Sequence, residues 1–172
     1  MNGNRVRSRR RWFSVGAAVK GLLGWGWGRV ARLIAGRPLL SRGGLTVHAL
    51  VNRADERTLA QSVGAAIDFV AVTDPRAYRR LCIHVERIIV LPMQGMGRGA
   101  HVGGGRQMYL DETHVRRSSS SAVAATIVHE STHAFLAARG AHLRHDLKRR
   151  VESRCQREAK EFLAIASRAD AR

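Results

Sequence analysis

Residues 118–140 read Ser118-Ser-Ser-Ser-Ala-Val-Ala-Ala-Thr-Ile-Val-His129-Glu130-Ser131-Thr132-His133-Ala-Phe-Leu-Ala-Ala-Arg139-Gly140. The serine run supplies N-cap candidates and Gly140 a stop, which predicts a helix over 118–139. No charged residue lies between Ser118 and Val128 or between Ala134 and Ala138. A helix this uncharged is built to be buried, yet it carries two histidines and a glutamate. Burying three such groups without partners is costly. The spacing offers a partner. Residues four apart share one helical face, so His129 and His133 can reach a single ion. Imidazole nitrogen binds zinc at about 2.0–2.1 Å. Glu130, next to the first histidine, is placed to take a proton from metal-bound water, whose pKa falls to about 7 on zinc.

His-Glu-x-x-His between uncharged flanks resembles the extended consensus of zinc metallopeptidases. The metzincin continuation asks for glycine three residues and histidine six residues after the second motif histidine. Here those positions hold Leu136 and Arg139, and His142 and His145 stand at other spacings, so that class is rejected. The gluzincin type takes its third ligand as a Glu from a second helix. The helix expected over about 143–168 offers Glu152, Glu158 and Glu161. Glu152 leaves 18 residues after His133, a spacing similar to that of one group of large gluzincin aminopeptidases. Glu158-Ala159-Lys160-Glu161-Phe162 resembles the Glu-Ala-x-x-Phe pattern of short gluzincin peptidases. On the helical wheel Leu147, Val151, Cys155, Phe162 and Ile165 form an apolar stripe, with Glu158 in its middle and Glu152 at its edge. A carboxylate on a buried stripe needs a cation or a hydrogen-bond donor. Glu158 is therefore the preferred third ligand. Glu152 is the alternative, or a partner of a ligating histidine.

The resemblance covers about residues 105–165. It implies one zinc ion, a peptide or protein substrate, and an edge strand ahead of the motif helix that binds substrate in extended form. Gln107–Leu110 would be that strand. Tyr109 is the substrate-binding candidate, and His142, His145 and Arg154 are further candidates for stabilising the transition state.

Leu45–Val51 reads as a strand by its β-branched content, and Arg87–Leu91 and Arg106–Leu110 as two more. Residues 55–71 place Leu59, Val63, Ala66, Ile67 and Val70 at helical spacing. Asp74-Pro75 opens a second, shorter helix. Six glycines within 95–106 predict a flexible loop; no Gly-Lys-Ser/Thr follows to make a phosphate cradle. Strands early and two long helices late predict an α+β fold, a small mixed sheet packed on helices, zincin-like. Cys82 and Cys155 lie far apart and form no metal-ligand pair in sequence, so a reduced, cytoplasmic chain is expected.

The chain has 172 residues and a formal net charge of +17. Its 45% hydrophobic content excludes a purely disordered basic tail. The charge is uneven. Residues 1–42 hold ten Lys/Arg, no acid and all three tryptophans, Trp12, Trp25 and Trp27. The other 20 basic and 13 acidic residues leave +7. The division is thus a basic arm over 1–42 and a compact domain over 43–172. Lys20, Arg29 and Arg32 interrupt any apolar run in the arm, which argues against a membrane span. Val15, Val19, Leu22, Leu23, Val30, Leu33 and Ile34 share one helical face, the pattern of a basic helix lying on an anionic membrane surface. Five glycines between Gly16 and Gly28 weigh against a stable helix, so an arm with no specific partner is an equal reading. No nucleic-acid module accompanies the charge, which leaves nucleic-acid binding third. The functional expectation is a zinc-dependent metallopeptidase. A catalytically silent, zinc-stapled, membrane-associated protein is the alternative.

Overall fold

The computed structural model describes residues 37–94, 97–101, 106–141 and 147–170. The arm's apolar stripe, His142 and His145 lie outside them. Among the described residues there are five strands: β1 Leu40–Arg42, β2 Leu45–Ala49, β3 Arg87–Leu91, β4 Gly99–His101 and β5 Gln107–Asp111. The same residues form five helices: α1 Arg53–Thr73, α2 Pro75–His84, α3 Glu112–Arg117, α4 Ser120–Ala138 and α5 Lys148–Asp170. The fold is α+β, with one mixed sheet in the order β1-β2-β3-β5-β4.

The sheet starts inside the basic segment. Leu40 pairs with Val47 and Arg42 with Leu45 across a two-residue turn, Gly43-Gly44. Both glycines have positive φ, 55° and 84°, as the tight hairpin turn that matches strand twist requires. β2, β3 and β5 are mutually parallel, and β4 returns antiparallel to β5 along the far edge. The three parallel strands read as almost unbroken buried runs, as expected of a sheet centre.

Alternation sorts the strand side chains. Leu45, Val47, Ile88, Val90, Met108 and Leu110 join one core with Val63 and Ile67 of α1 and Val123 and Ile127 of α4. Ile89 and Tyr109 turn to the other face and cluster with Met93. The helices thus stack on one side of the sheet. The glycine-rich stretch is not wholly loop, since Gly99–His101 forms the edge strand.

α4 lies at the centre of the helical layer. Ser119 caps its start, accepting from the Ala122 amide at 3.3 Å. Gly140, at φ 79°, donates to the Ala137 carbonyl and ends it in the left-handed cap that glycine adopts at least cost. Nine of its residues are buried, from Val123 to Ala134. The Ser131 and Thr132 hydroxyls are spent on the Val128 carbonyl, at 2.9 and 2.8 Å, so they add no unmet polar group to the core. α5 packs along α4, with Cys155, Phe162 and Ala166 buried. Phe162 meets Phe69 of α1 edge to face, 5.9 Å between centroids. Ile165, expected in the apolar stripe, is 42% exposed. Among the described residues no helix is long and apolar enough to cross a membrane.

Candidate metal centre

The motif lies near the middle of α4, and the helical repeat brings its two imidazoles together. His129 Nε2 and His133 Nε2 are 3.2 Å apart, with ring centroids at 4.9 Å. From α5 comes a carboxylate. Glu152 Oε2 lies 3.3 Å from His133 Nε2, and Glu152 Oε1 lies 3.6 Å from His129 Nε2. Two nitrogens at about 2.05 Å from one tetrahedral zinc are about 3.3 Å apart, and a nitrogen and a carboxylate oxygen are about 3.4 Å apart. These separations, 3.2, 3.3 and 3.6 Å, are of the size found between donors to one zinc ion, the two to Glu152 ending on different oxygens of its carboxylate. The two imidazoles and the carboxylate are donor types that suit zinc, and they stand together at one place between α4 and α5.

Glu158, the preferred ligand by sequence, is engaged elsewhere. Its Oε2 accepts from Arg80 Nη1 of α2 at 3.0 Å, and its Oε1 lies 3.6 Å from Arg154 Nε. Of the two candidates, Glu152 lies beside the histidines in this structure and Glu158 does not. The wheel placed Glu158 on a buried stripe, and it does lie there, but its cation is an arginine 78 residues earlier in the chain. Glu152 is at the stripe's edge, its side chain 48% exposed, where it can face both the histidines and solvent. Arg154 is held by Glu158 and by the Phe135 ring, 5.9 Å from its guanidinium carbon.

Glu130 is buried, with Oε1 4.0 Å from His129 Nε2. The edge strand runs against it. A Cβ on Gly99 would stand 3.1 Å from Glu130 Cγ, 3.3 Å from Glu130 Oε1 and 2.9 Å from Thr126 Cγ2. Only a glycine lets the β4 backbone come this close to the candidate base. Thr126 is fixed in turn. It donates to the Ala122 carbonyl at 3.2 Å, which leaves its oxygen to accept from His114 Nε2 at 2.9 Å. His114 Nδ1 then accepts from Ser118 Oγ, also at 2.9 Å.

Two expectations about the substrate side change. Gln107–Leu110 lies within β5, which is flanked by β3 and β4, so it is not an edge. Tyr109 is buried on the sheet face turned away from α4, and its hydroxyl donates to Gln107 Oε1 at 2.9 Å. A cleft of about 820 Å³ on α5 is lined by Leu147, Arg149, Arg150, Ser153, Arg154 and Arg157; none of the clustered histidines or Glu152 borders it.

Sequence reasoning missed two participants. Gly99 was hidden in a glycine run. Cys155 was dismissed because its partners are not neighbours in sequence. Its Sγ and one nitrogen from each of His129 and His133 all lie within 4.8 Å of one another. The available signal was Glu152-x-x-Cys155, two donors one turn apart on one helix. Burial, with the nearby Glu152 and Glu130 carboxylates adding to it, pushes the Cys155 thiol up to about 12.

Compared with known proteins, the chain matches no family model, no curated protein and no solved structure.

Proposed function

We propose that the chain is a zinc-dependent metallopeptidase. The observation that supports this reading is the cluster of His129 Nε2, His133 Nε2 and the two Glu152 carboxylate oxygens, at separations of 3.2 to 3.6 Å. His129 and His133 hold the ion as neutral imidazoles, and Glu152 supplies the carboxylate. When bound, zinc polarises a water molecule and the scissile carbonyl of a peptide.

The remaining steps belong to the chain. Glu130 accepts the proton of the attacking water and returns it to the leaving amine, a general base turned general acid. Its place beside β4 supports that role for a peptide held along that strand. β4 is an edge strand, so its outer backbone groups can pair with an extended peptide as an added strand. Such a peptide would run past Gly99, next to Glu130. In this reading the substrate-binding strand is Gly99–His101 rather than Gln107–Leu110.

The test is Glu130→Gln. Zinc content should stay at one ion per chain, and hydrolysis of a peptide library should fall by at least about 100-fold, the lower end of what a positioned base contributes. Full activity of Glu130→Gln on a substrate cleaved by the wild type would overturn the mechanism.

A further inference from the structure

The donor set around the two histidines holds one group more than a hydrolytic site requires. Glu152 approaches His129 and His133 from the half-exposed side of α5. Cys155, fully buried and three residues on, approaches the same pair from the core, its Sγ within 4.8 Å of both imidazoles. Hydrolytic zinc sites keep three protein ligands and leave one position for water, whereas four protein ligands make a closed, structural site. Sulfur reaches zinc at about 2.3 Å, longer than nitrogen or oxygen, so a donor set back from the other three can still join them.

We propose that Cys155 is a fourth protein ligand to the ion held by His129, His133 and Glu152. It makes a resting form in which the chain itself fills the position that water needs. The inference rests on the metallopeptidase reading and adds its regulation. Ligation exchanges the S–H bond for a metal–sulfur bond, and the proton leaves to solvent. Water enters when the metal–sulfur bond breaks and the thiol is protonated again. The buried position suits this exchange, since no external thiol has to reach the ion. The two forms are in equilibrium, so the wild-type chain retains part of the activity of the open form.

Cobalt(II) reports the ligand directly, because a bound thiolate gives an intense charge-transfer absorption in the near ultraviolet that nitrogen and oxygen ligands do not. The full chain, its zinc removed, is titrated with Co²⁺, alongside Cys155→Ser, Cys155→Ala and Cys82→Ser. One cobalt per chain is expected in all four, with the thiolate band in the wild type and Cys82→Ser and its absence in both Cys155 variants. With zinc restored, Cys155→Ser and Cys155→Ala should hydrolyse peptide several-fold faster than the wild type. One cobalt per chain with no thiolate band overturns the ligand role and leaves the metallopeptidase reading standing. A band with no gain in hydrolysis in either Cys155 variant overturns the resting form. Failure of the folded wild-type chain to bind cobalt or zinc overturns the metallopeptidase reading, and this inference with it. Far-ultraviolet circular dichroism checks that the variants are folded, and the two replacements at Cys155 guard against one of them misfolding.

Discussion

Glu130 on the motif helix lies against the space that a side chain at Gly99 on the edge strand would fill. A Cβ there would stand 3.1 Å from Glu130 Cγ and 2.9 Å from Thr126 Cγ2. Gly99→Ala should therefore cost about 1–3 kcal/mol, the usual range for forcing one extra carbon into a packed site. It should also lower kcat by displacing Glu130, with zinc content unchanged. Urea denaturation and peptide hydrolysis measure the two effects. An alanine variant as stable and as active as the wild type would show that the contact yields easily.

The two glutamates of α5 should separate cleanly. Glu152→Ala removes a half-exposed side chain, so stability should move by no more than about 0.5 kcal/mol. Zinc affinity should fall by more than about 100-fold, beyond the loss typical of an outer-shell partner. Glu158→Gln should do the reverse. Arg80 would lose its carboxylate, and among the described residues Arg80 Nε is already buried without a hydrogen-bond partner. Stability should drop by about 1–3 kcal/mol, the range for hydrogen bonds to charged groups. Zinc affinity should be unchanged. Competition with a chromophoric chelator and chemical denaturation read the two quantities.

Acid should destabilise the fold through His114 and His84. Burial holds His114 below the ordinary histidine value, helped by the charge of Arg98 and opposed by Asp111. Burial, with Arg106, Arg139 and Arg80, does the same to His84. The unfolded chain then binds more protons than the folded one. The contribution is fully present above the unfolded value of about 6.5 and is lost as pH falls through and below it. Protonating His114 Nδ1 also removes the acceptor for Ser118 Oγ. His114→Gln should flatten the fall in stability below about pH 6.5, leaving the part due to His84. A stability profile of unchanged slope would exclude His114 as a contributor.

The two thiols should react in a fixed order. In the metal-free chain at neutral pH, Cys155 is buried and its thiol is pushed up to about 12, so little thiolate is available. Cys82 is only partly buried. An alkylating reagent should modify Cys82 first and Cys155 only on unfolding, as peptide mapping by mass spectrometry would show. Modification of Cys155 at a similar rate would mean that α4 and α5 separate in the native state.

The elements legible in the sequence were those with strong local signals. The serine cap and Gly140 bracket α4, and Asp74-Pro75 opens α2 through the Asp74 carboxylate, which accepts from the Arg76 and Ala77 amides at 3.0 Å. Both histidines lie on one face because spacing alone dictates it. What stayed hidden depends on partners distant in sequence. β4 has almost no strand propensity in Gly99-Ala100-His101; it forms because β5 pairs with it and because α4 leaves room for a backbone and nothing more. β1 is three residues at the end of a basic segment and exists through the Gly43-Gly44 turn. The wheel of α5 placed Glu158 correctly on a buried stripe but could not supply Arg80. The same blindness to partners concealed Cys155.

Glu152, Cys155 and Glu158 follow one another at intervals of three along α5. Three residues turn a helix by about 300°, so each successive side chain is set back by about 60° around the axis. The first two face the α4 histidines, and the third has rotated far enough to meet Arg80 on α2. The Arg80–Glu158 pair therefore indexes the rotational setting of the whole helix, as a key indexes a shaft. Only one setting satisfies it, and in that setting Glu152 is already aimed at the histidines. If zinc binds as proposed, the far-ultraviolet spectrum should thus be the same with and without it, because the folded chain already holds Glu152 beside the histidines.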